Sequence, residues 1–199
     1  MITDIIHLDS AHRNIAIRLS GGPDSAIIYY AVCDFYKNDP TAKIFPMTAA
    51  TPLRPHSIRK ANDVIDIVAK LTGRLPTCHH TVFHTAHNSS NSPDFNSIEY
   101  SKSQEDLESS VFKTEHIDAR YAGLSVNCPA DEMVAMVEQF DNNAACLMAL
   151  AARDTSRDVP VADTVTQLYD VTMYLPFATY DKRTVYQLCL LYTSDAADE

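Results

Sequence analysis

Glycine is the residue that this sequence uses most sparingly. The 199 residues include four glycines, about 2% where roughly 7% is usual. A chain with so little glycine is expected to keep those that its backbone geometry demands. Two of the four, Gly21 and Gly22, are adjacent, so the segment around them is expected to have a special backbone conformation.

Basic residues are also in short supply. Sixteen Lys and Arg stand against 26 Asp and Glu, which gives a formal net charge of −10. Nonspecific nucleic-acid binding depends on cations that neutralise phosphates, so this balance argues against nucleic acid as a partner and favours a small-molecule substrate. A local basic patch at Arg54, His56, Arg59 and Lys60 keeps nucleic-acid binding open as an alternative.

Disulfide patterns and long apolar runs are absent. The five cysteines are widely spaced, without a Cys-x-x-Cys pair, which is typical of reduced thiols in a cytoplasm. Residues 1–10 contain two acids and no basic region before an apolar stretch, so a secretory signal is not expected. No apolar run approaches the roughly 18 residues that span a bilayer, and a cytoplasmic protein without membrane association is predicted.

Strand-like and helix-like segments alternate along the chain. Apolar and β-branched runs predict strands over 14–19, 43–48, 80–84, 119–126 and 171–175. Helical spacing predicts helices over about 24–36, 55–71, 130–140 and 143–153, and a last one from Lys182 with Asp181 as its cap. Gly73 stands where a helix C-cap belongs. This order predicts an α/β, Rossmann-like fold: a doubly wound, mostly parallel five-stranded sheet with helices on both faces.

Three groups of polar or reactive residues are predicted to have structural rather than catalytic or metal-binding roles. Residues 87–110 are rich in Ser, Asn and acids, which predicts a long loop or insertion. A mobile lid is one form that such a loop could take. The acidic run at 105–108 is predicted to be solvated. His79, His80, His84 and His87 lack a Cys or carboxylate spacing that would complete a metal site, so a strand with a solvated end is favoured. Cys128 and Cys146 are candidate nucleophiles, but buried thiols are commoner.

The adjacent glycines belong to Ser20-Gly-Gly-Pro-Asp-Ser25, between the first strand and the first helix. Glycines let the backbone turn tightly and present N–H groups to an anion, and the following helix adds its N-terminal partial charge. Ser20 and Ser25 add hydroxyl donors. Asp24 is interpreted as a helix N-terminal residue that also helps to hold Mg²⁺. The lysine of a GxxxxGK[ST] loop is missing, so this is not a Walker P-loop.

These residues carry a resemblance to a known superfamily. Ser-Gly-Gly-x-Asp-Ser after a hydrophobic strand resembles the PP-loop of the adenine-nucleotide α-hydrolase-like ATP pyrophosphatases. Residues 121–126 are similar to a later strand of that superfamily that ends in glycine, and 175–185 to a segment in which a lysine opens a C-terminal helix. Together the three segments are most similar to the 7-cyano-7-deazaguanine synthase family.

The resemblance implies a sheet of the HUP type and an ATP-dependent C–N ligase that adenylates its substrate and releases pyrophosphate. Its substrates would be 7-carboxy-7-deazaguanine, a deazapurine of queuosine biosynthesis, and ammonia. The implied cofactors are ATP and Mg²⁺, with Asp24 as the metal ligand and Asp24, Ser25 and Lys182 as catalytic residues. The residues expected to bind the nucleotide are Leu19, Ser20, Gly21, Gly22, Pro23, Asp24, Ser25, Thr48 and Gly123. Synthases of the superfamily are often dimers, which makes a homodimer a further expectation.

Two departures from the family pattern concern its later segments. Residues 48–54 lack the aromatic-and-basic pattern expected after the second strand. Zn²⁺ is expected for the family, but the cysteines that bind it after the Lys182 helix are missing from this chain. Residues 189–199 resemble the translation of a transposase adapter used in sequencing libraries. The PP-loop domain is therefore expected to occupy 1–188, truncated at its C-terminal end, with 189–199 an artefactual tail.

Three other functions stay open. A tRNA-thiolation enzyme relies on catalytic cysteines and basic surfaces, and the charge of −10 argues against it. The second is an amidating synthetase of the asparagine or GMP type. This chain has no Cys after Met1 to serve as the glutaminase nucleophile, which argues against it. The third is a non-catalytic adenine-nucleotide-binding protein, which would bind ATP without forming AMP and pyrophosphate.

Overall fold

The described part of the chain folds as an alternation of strands and helices around one sheet. The computed structural model describes residues 5–50, 55–83, 93–127, 160, 164–168, 170–185 and 187–188. Its elements are β1 (Asn14–Arg18), α1 (Pro23–Phe35), β2 (Lys43–Ala50), α2 (Ser57–Thr72), β3 (His80–Phe83), α3 (Pro93–Glu115), β4 (Ala119–Ala122), β5 (Val165–Leu168) and β6 (Val171–Tyr174). The predicted helices over 130–140 and 143–153 lie outside the described residues, as does His84 at the end of the predicted third strand.

The sheet has the order β3-β2-β1-β4-β6-β5. All neighbours are parallel except β5, which runs antiparallel to β6 at the edge. Arg18, the last residue of β1, lies level with Met47 and Ala122. The doubly wound, mostly parallel sheet is therefore confirmed, but the predicted count of five strands is wrong, since the described residues form six.

The extra strand, β5, shows why the count was short. Every residue of β5 is exposed, so the strand has no buried face that would impose an alternation of apolar and polar residues. Its four residues pair only with β6. An exposed edge strand of this length leaves too weak a pattern in the sequence to be recognised.

Helices cover both faces of the sheet. Alternate residues of β1 point to opposite faces: Ile15 and Ile17 join the core under α1 and α2, whereas Ala16 joins a second core that includes Val111 of α3. This arrangement places the turn between β1 and α1 at the carboxyl edge of the sheet. In parallel α/β sheets that edge is where ligands bind.

The prediction of a loop or lid over 87–110 is wrong for the part that the structure describes, because residues 93–115 form α3. Helix propensity is nearly neutral for its many Ser and acidic residues, so packing decides. Leu107 and Val111 pack with Phe45 and Met47 of β2. The acidic run at 105–108 is not wholly solvated either, since Glu108 is 8% exposed.

The two predicted helix caps are confirmed. Gly73 ends α2 with a positive φ of 70° and donates its N–H to the carbonyl of Ala69 at 2.9 Å. Asp181 accepts the N–H of Thr184 at 2.8 Å, and helix begins at Lys182. Among the helices that the structure describes, none has both the length and the apolarity that crossing a bilayer demands.

Candidate functional site

The loop between β1 and α1 leads into the N-terminus of α1, where a helix has N–H groups that its own turns do not use. Gly21 has a positive φ of 75°, which side-chain-bearing residues rarely adopt. Gly22 is the N-cap of α1 and provides no side-chain capping bond. Pro23 takes the first helical position, where its missing N–H costs nothing. The N–H groups of Asp24 and Ser25, in the next two positions, therefore point out of the helix end, where an anion is stabilised.

Ser20 and Ser25 close the loop on itself. The Ser25 hydroxyl donates to the carbonyl of Gly22 at 3.0 Å and accepts the N–H of Ser20 at 3.2 Å. The two hydroxyl oxygens lie 3.2 Å apart. These bonds hold the loop in a defined shape before any ligand arrives, which lowers the entropic cost of binding.

Two glycines allow neighbouring elements to approach the loop closely. A Cβ on Gly21 would lie 2.4 Å from Cβ of Lys60 on α2, which is closer than real Cβ atoms come. A Cβ on Gly123, directly after β4, would lie 2.8 Å from the backbone carbon of Asp24. Gly21 therefore packs the loop against α2, and Gly123 brings the exit of β4 against the start of α1.

Asp24 is the buried charge of the site. Its residue is 6% exposed, and its Oδ2 accepts the hydroxyl of Ser125 at 2.7 Å. The Nζ of Lys182 lies 3.6 Å from the same oxygen. Oδ1 is buried and has no hydrogen-bond partner among the described residues. A buried carboxylate oxygen without a partner is costly, so this position is suited to a cation.

Lys182 reaches Asp24 because its segment is tied to the end of β4. The N–H of Val126 donates to the carbonyl of Tyr180 at 2.9 Å, and Val126 forms a parallel bridge with Asp181. The Lys182 side chain is 41% exposed. It therefore stands at the mouth of the site, with its ammonium near Asp24 and open to solvent.

Leu19 and Thr48 lie beneath the loop. The Leu19 side chain is buried in the core, and its carbonyl accepts the hydroxyl of Thr48 at 2.6 Å. Thr48 is 1% exposed. Thr48 therefore fixes the orientation of the peptide that precedes Ser20. Direct contact of Leu19 or Thr48 with a nucleotide stays a prediction.

The structure thus brings most of the predicted site together: Ser20, Gly21, Gly22, Pro23, Asp24, Ser25, Gly123 and Lys182. Ser125 was missed, although it belongs to the 121–126 segment that carries part of the resemblance. Lys60 was missed as well, since only the folded chain brings it to Gly21. The aromatic-and-basic pattern missing from 48–54 falls partly outside the described residues.

A metal centre made of several side chains is not found in the part of the chain that the structure describes: no three His, Cys, Asp or Glu side chains there could hold a metal ion together. His79 and His80 are within that part, whereas His84 and His87 are not. Cys33 is buried and Cys78 exposed, and neither forms a disulfide. Burial raises the pKa of the Cys33 thiol to about 12, which makes it unreactive at neutral pH.

Comparison with known proteins finds likeness among solved structures. No protein-family model and no curated protein matches the chain. The U34-tRNA thiolase NcsA from Methanococcus maripaludis, solved with its 4Fe-4S cluster, matches with a TM-score of 0.57 at 15% sequence identity. The match covers 96% of this chain but only 61% of the thiolase's length. The likeness is one of fold.

Proposed function

We propose that the chain binds ATP at the Ser20–Ser25 loop and cleaves it between the α and β phosphates, adenylating a substrate and releasing pyrophosphate. The observation that carries this proposal is the position of Asp24. A carboxylate at a helix N-terminus would repel phosphate by itself. Here the residue keeps one oxygen unpaired among the described residues and lies beside a lysine, which suits a phosphate group that arrives with a divalent cation.

The residues of the site have separate roles in this reaction. The N–H groups at the start of α1 and the hydroxyl of Ser20 hold the phosphate oxygens, whereas the Ser25 hydroxyl keeps the loop in shape through its bonds to Gly22 and Ser20. Lys182 adds positive charge at the mouth of the site, where the leaving pyrophosphate gains negative charge. Mg²⁺ fits the unpaired oxygen of Asp24, because it is commonly bound by one or two carboxylates together with phosphates, and when bound it would neutralise the leaving group.

The substrate that we propose is 7-carboxy-7-deazaguanine. Its carboxylate oxygen attacks the α phosphorus, the bond from the α phosphorus to the bridging oxygen breaks, and pyrophosphate leaves. Ammonia then attacks the acyl carbon and AMP departs, which gives an amide. A second ATP adenylates the amide oxygen and releases pyrophosphate, and loss of AMP together with both amide protons leaves the nitrile. The resemblance of the loop and of residues 121–126 and 175–185 supports this choice, and so does the acidic charge of the chain.

The test is to measure AMP and pyrophosphate with ATP, Mg²⁺, ammonia and 7-carboxy-7-deazaguanine. We expect the two products in equal amounts. Formation of ADP and phosphate would contradict cleavage between the α and β phosphates. Asp24→Asn and Ser25→Ala should each lower pyrophosphate release by at least about 100-fold. Asp34→Asn is the matched control, because Asp34 lies on the same helix but has a side chain that is 44% exposed and paired with Lys37 at 2.9 Å.

The fold likeness to the thiolase favours tRNA thiolation as a second candidate function. The two candidates differ in what stimulates pyrophosphate release. Stimulation by the deazapurine supports the first proposal, and stimulation by unmodified tRNA with formation of a thiolated nucleotide supports the second. ATP binding without any pyrophosphate release would instead indicate a non-catalytic nucleotide-binding protein.

A further inference from the structure

A line of side chains connects α2 to the entrance of the loop. The Nδ1 of His79, directly before β3, lies 3.0 Å from Oδ1 of Asn62 on α2. Its Nε2 lies 2.8 Å from the hydroxyl of Thr48. That hydroxyl in turn donates to the carbonyl of Leu19. A chain of contacts therefore links α2, through the residue before β3 and through β2, to the peptide bond that begins the loop.

The protons in this line can be placed by counting donors. The Thr48 hydroxyl has one hydrogen, and the Leu19 carbonyl can only accept, so that hydrogen is used there. The contact between Thr48 and His79 is then a bond only if Nε2 carries a proton and donates it. The opposite tautomer would set two acceptors 2.8 Å apart. The contacts among His79, Thr48 and Leu19 are therefore satisfied when Nε2 is protonated.

Asn62 accommodates either charge state of the ring. Burial, together with neighbouring His80, lowers the pKa of His79, which favours a neutral ring at neutral pH. In that ring Nδ1 is an acceptor, and half a turn of the Asn62 amide presents its NH₂ group. A charged ring would instead donate to the amide oxygen. Nε2 donates to Thr48 in both states.

The peptide between Leu19 and Ser20 is consequently held on both sides. Its carbonyl is held by Thr48 at 2.6 Å and its N–H by the Ser25 hydroxyl at 3.2 Å. The orientation of this peptide determines where Ser20 and the following glycines begin. Because Gly21 also packs on α2 at Lys60, α2 meets the loop directly and through Asn62 and His79.

We propose that His79 is a positioning residue for the loop: its Nε2–H directs the Thr48 hydroxyl to the Leu19 carbonyl and so orients the peptide before Ser20. The expected effect on catalysis rests on the proposed ATP chemistry, whereas the effect on the loop does not. Loss of the donor frees the Thr48 hydroxyl to point elsewhere and loosens the loop entrance.

The experiment compares two variants at one position. His79→Phe keeps a ring but removes the donor, and His79→Gln keeps a side-chain N–H donor of similar reach. We expect His79→Phe to speed hydrogen exchange at the Ser20 amide and to raise the KM for ATP, each about tenfold, with kcat little changed. His79→Gln should stay within about threefold of the wild type. His80→Gln is the control, because Nε2 of His80 lies 3.3 Å from the Glu115 carboxylate, whereas the ring that contacts the Thr48 hydroxyl is that of His79.

Three results would overturn the proposal. The first is an NMR spectrum in which the neutral His79 ring carries its proton on Nδ1. The second is unchanged Ser20 exchange in His79→Phe, and the third is equal damage in His79→Gln. If His79→Phe does not fold, Thr48→Val against Thr48→Ser makes the same comparison. If the wild type releases no pyrophosphate, the proposed function fails, while the tautomer and the Ser20 exchange still decide the role of His79.

Discussion

Two buried carboxylates, on helices that cover opposite faces of the sheet, differ in how completely their oxygens are hydrogen-bonded. Glu108 of α3 is bonded through both oxygens: Oε2 accepts from Arg18 at 2.7 Å, and Oε1 accepts from Arg120 at 2.9 Å and from Nε of Arg18. Asp24 has one oxygen bonded to Ser125 and the other without a hydrogen-bond partner among the described residues. The comparison separates a carboxylate that stabilises the fold from one with capacity left for a ligand.

The Glu108 cluster contains two cations and one anion. Burial lowers the pKa of Arg120, and the Glu108 carboxylate acts in the opposite direction. Arg120 is 5% exposed. Glu108 is therefore the group that allows two guanidinium groups to lie between α3 and the sheet, and removing it leaves both of them without their shared partner.

The largest effect on stability is expected from Glu108→Ala. Breaking a buried pair while leaving the partner charge typically costs about 3–5 kcal/mol. Asp24→Asn removes a carboxylate that is incompletely bonded, so the free energy of unfolding should change by less than about 1 kcal/mol. Urea unfolding of the two variants measures both quantities. A larger loss in Asp24→Asn than in Glu108→Ala would contradict the division between a structural and a ligand-binding carboxylate.

The Glu108 cluster could not be predicted from the sequence. Its contacts join residues 90 and 12 positions apart, and the acidic run around Glu108 has the composition of a solvated segment. The same polar composition is the reason that a loop was predicted where the structure has α3. Both features depend on what the sheet presents to residues 102–115, and a local pattern does not contain that information.

The loop could be predicted because its requirements are local. A buried strand, a glycine pair, a proline at the first helical position and a serine within bonding distance of its own turn lie within twelve residues, 14–25. Of the residues around Asp24, Gly123 and Lys182 were expected from the resemblance, but the hydrogen bond from Ser125 was not predicted. Ser125 is 101 positions away, and its contact depends on how closely β4 approaches α1.

Gly123→Ala should have an intermediate effect on the free energy of unfolding and a larger effect on pyrophosphate release. The added methyl would meet the backbone of Asp24 at 2.8 Å, and overpacking of this kind typically costs about 1–3 kcal/mol. Pyrophosphate release should fall steeply because the start of α1 must move. Gly73→Ala is the control: its φ is 70° with open space around it, so about 1 kcal/mol is expected with activity retained. Equal activity in the two variants would show that the approach of Gly123 to Asp24 does not shape the site.

Lys182→Met should give the smallest change in stability and a clear change in binding. An ion pair with a half-exposed lysine contributes about 0–1 kcal/mol, so the unfolding midpoint should hardly move. Calorimetry should show about tenfold weaker ATP binding if the ammonium contacts phosphate, and the difference from the wild type should narrow as salt rises. Lys37→Met, which removes the partner of Asp34 just beyond the end of α1, should bind ATP normally. If Lys182→Met also binds normally, its ammonium serves only to neutralise Asp24, and the phosphate contacts must come from the loop and the first turn of α1.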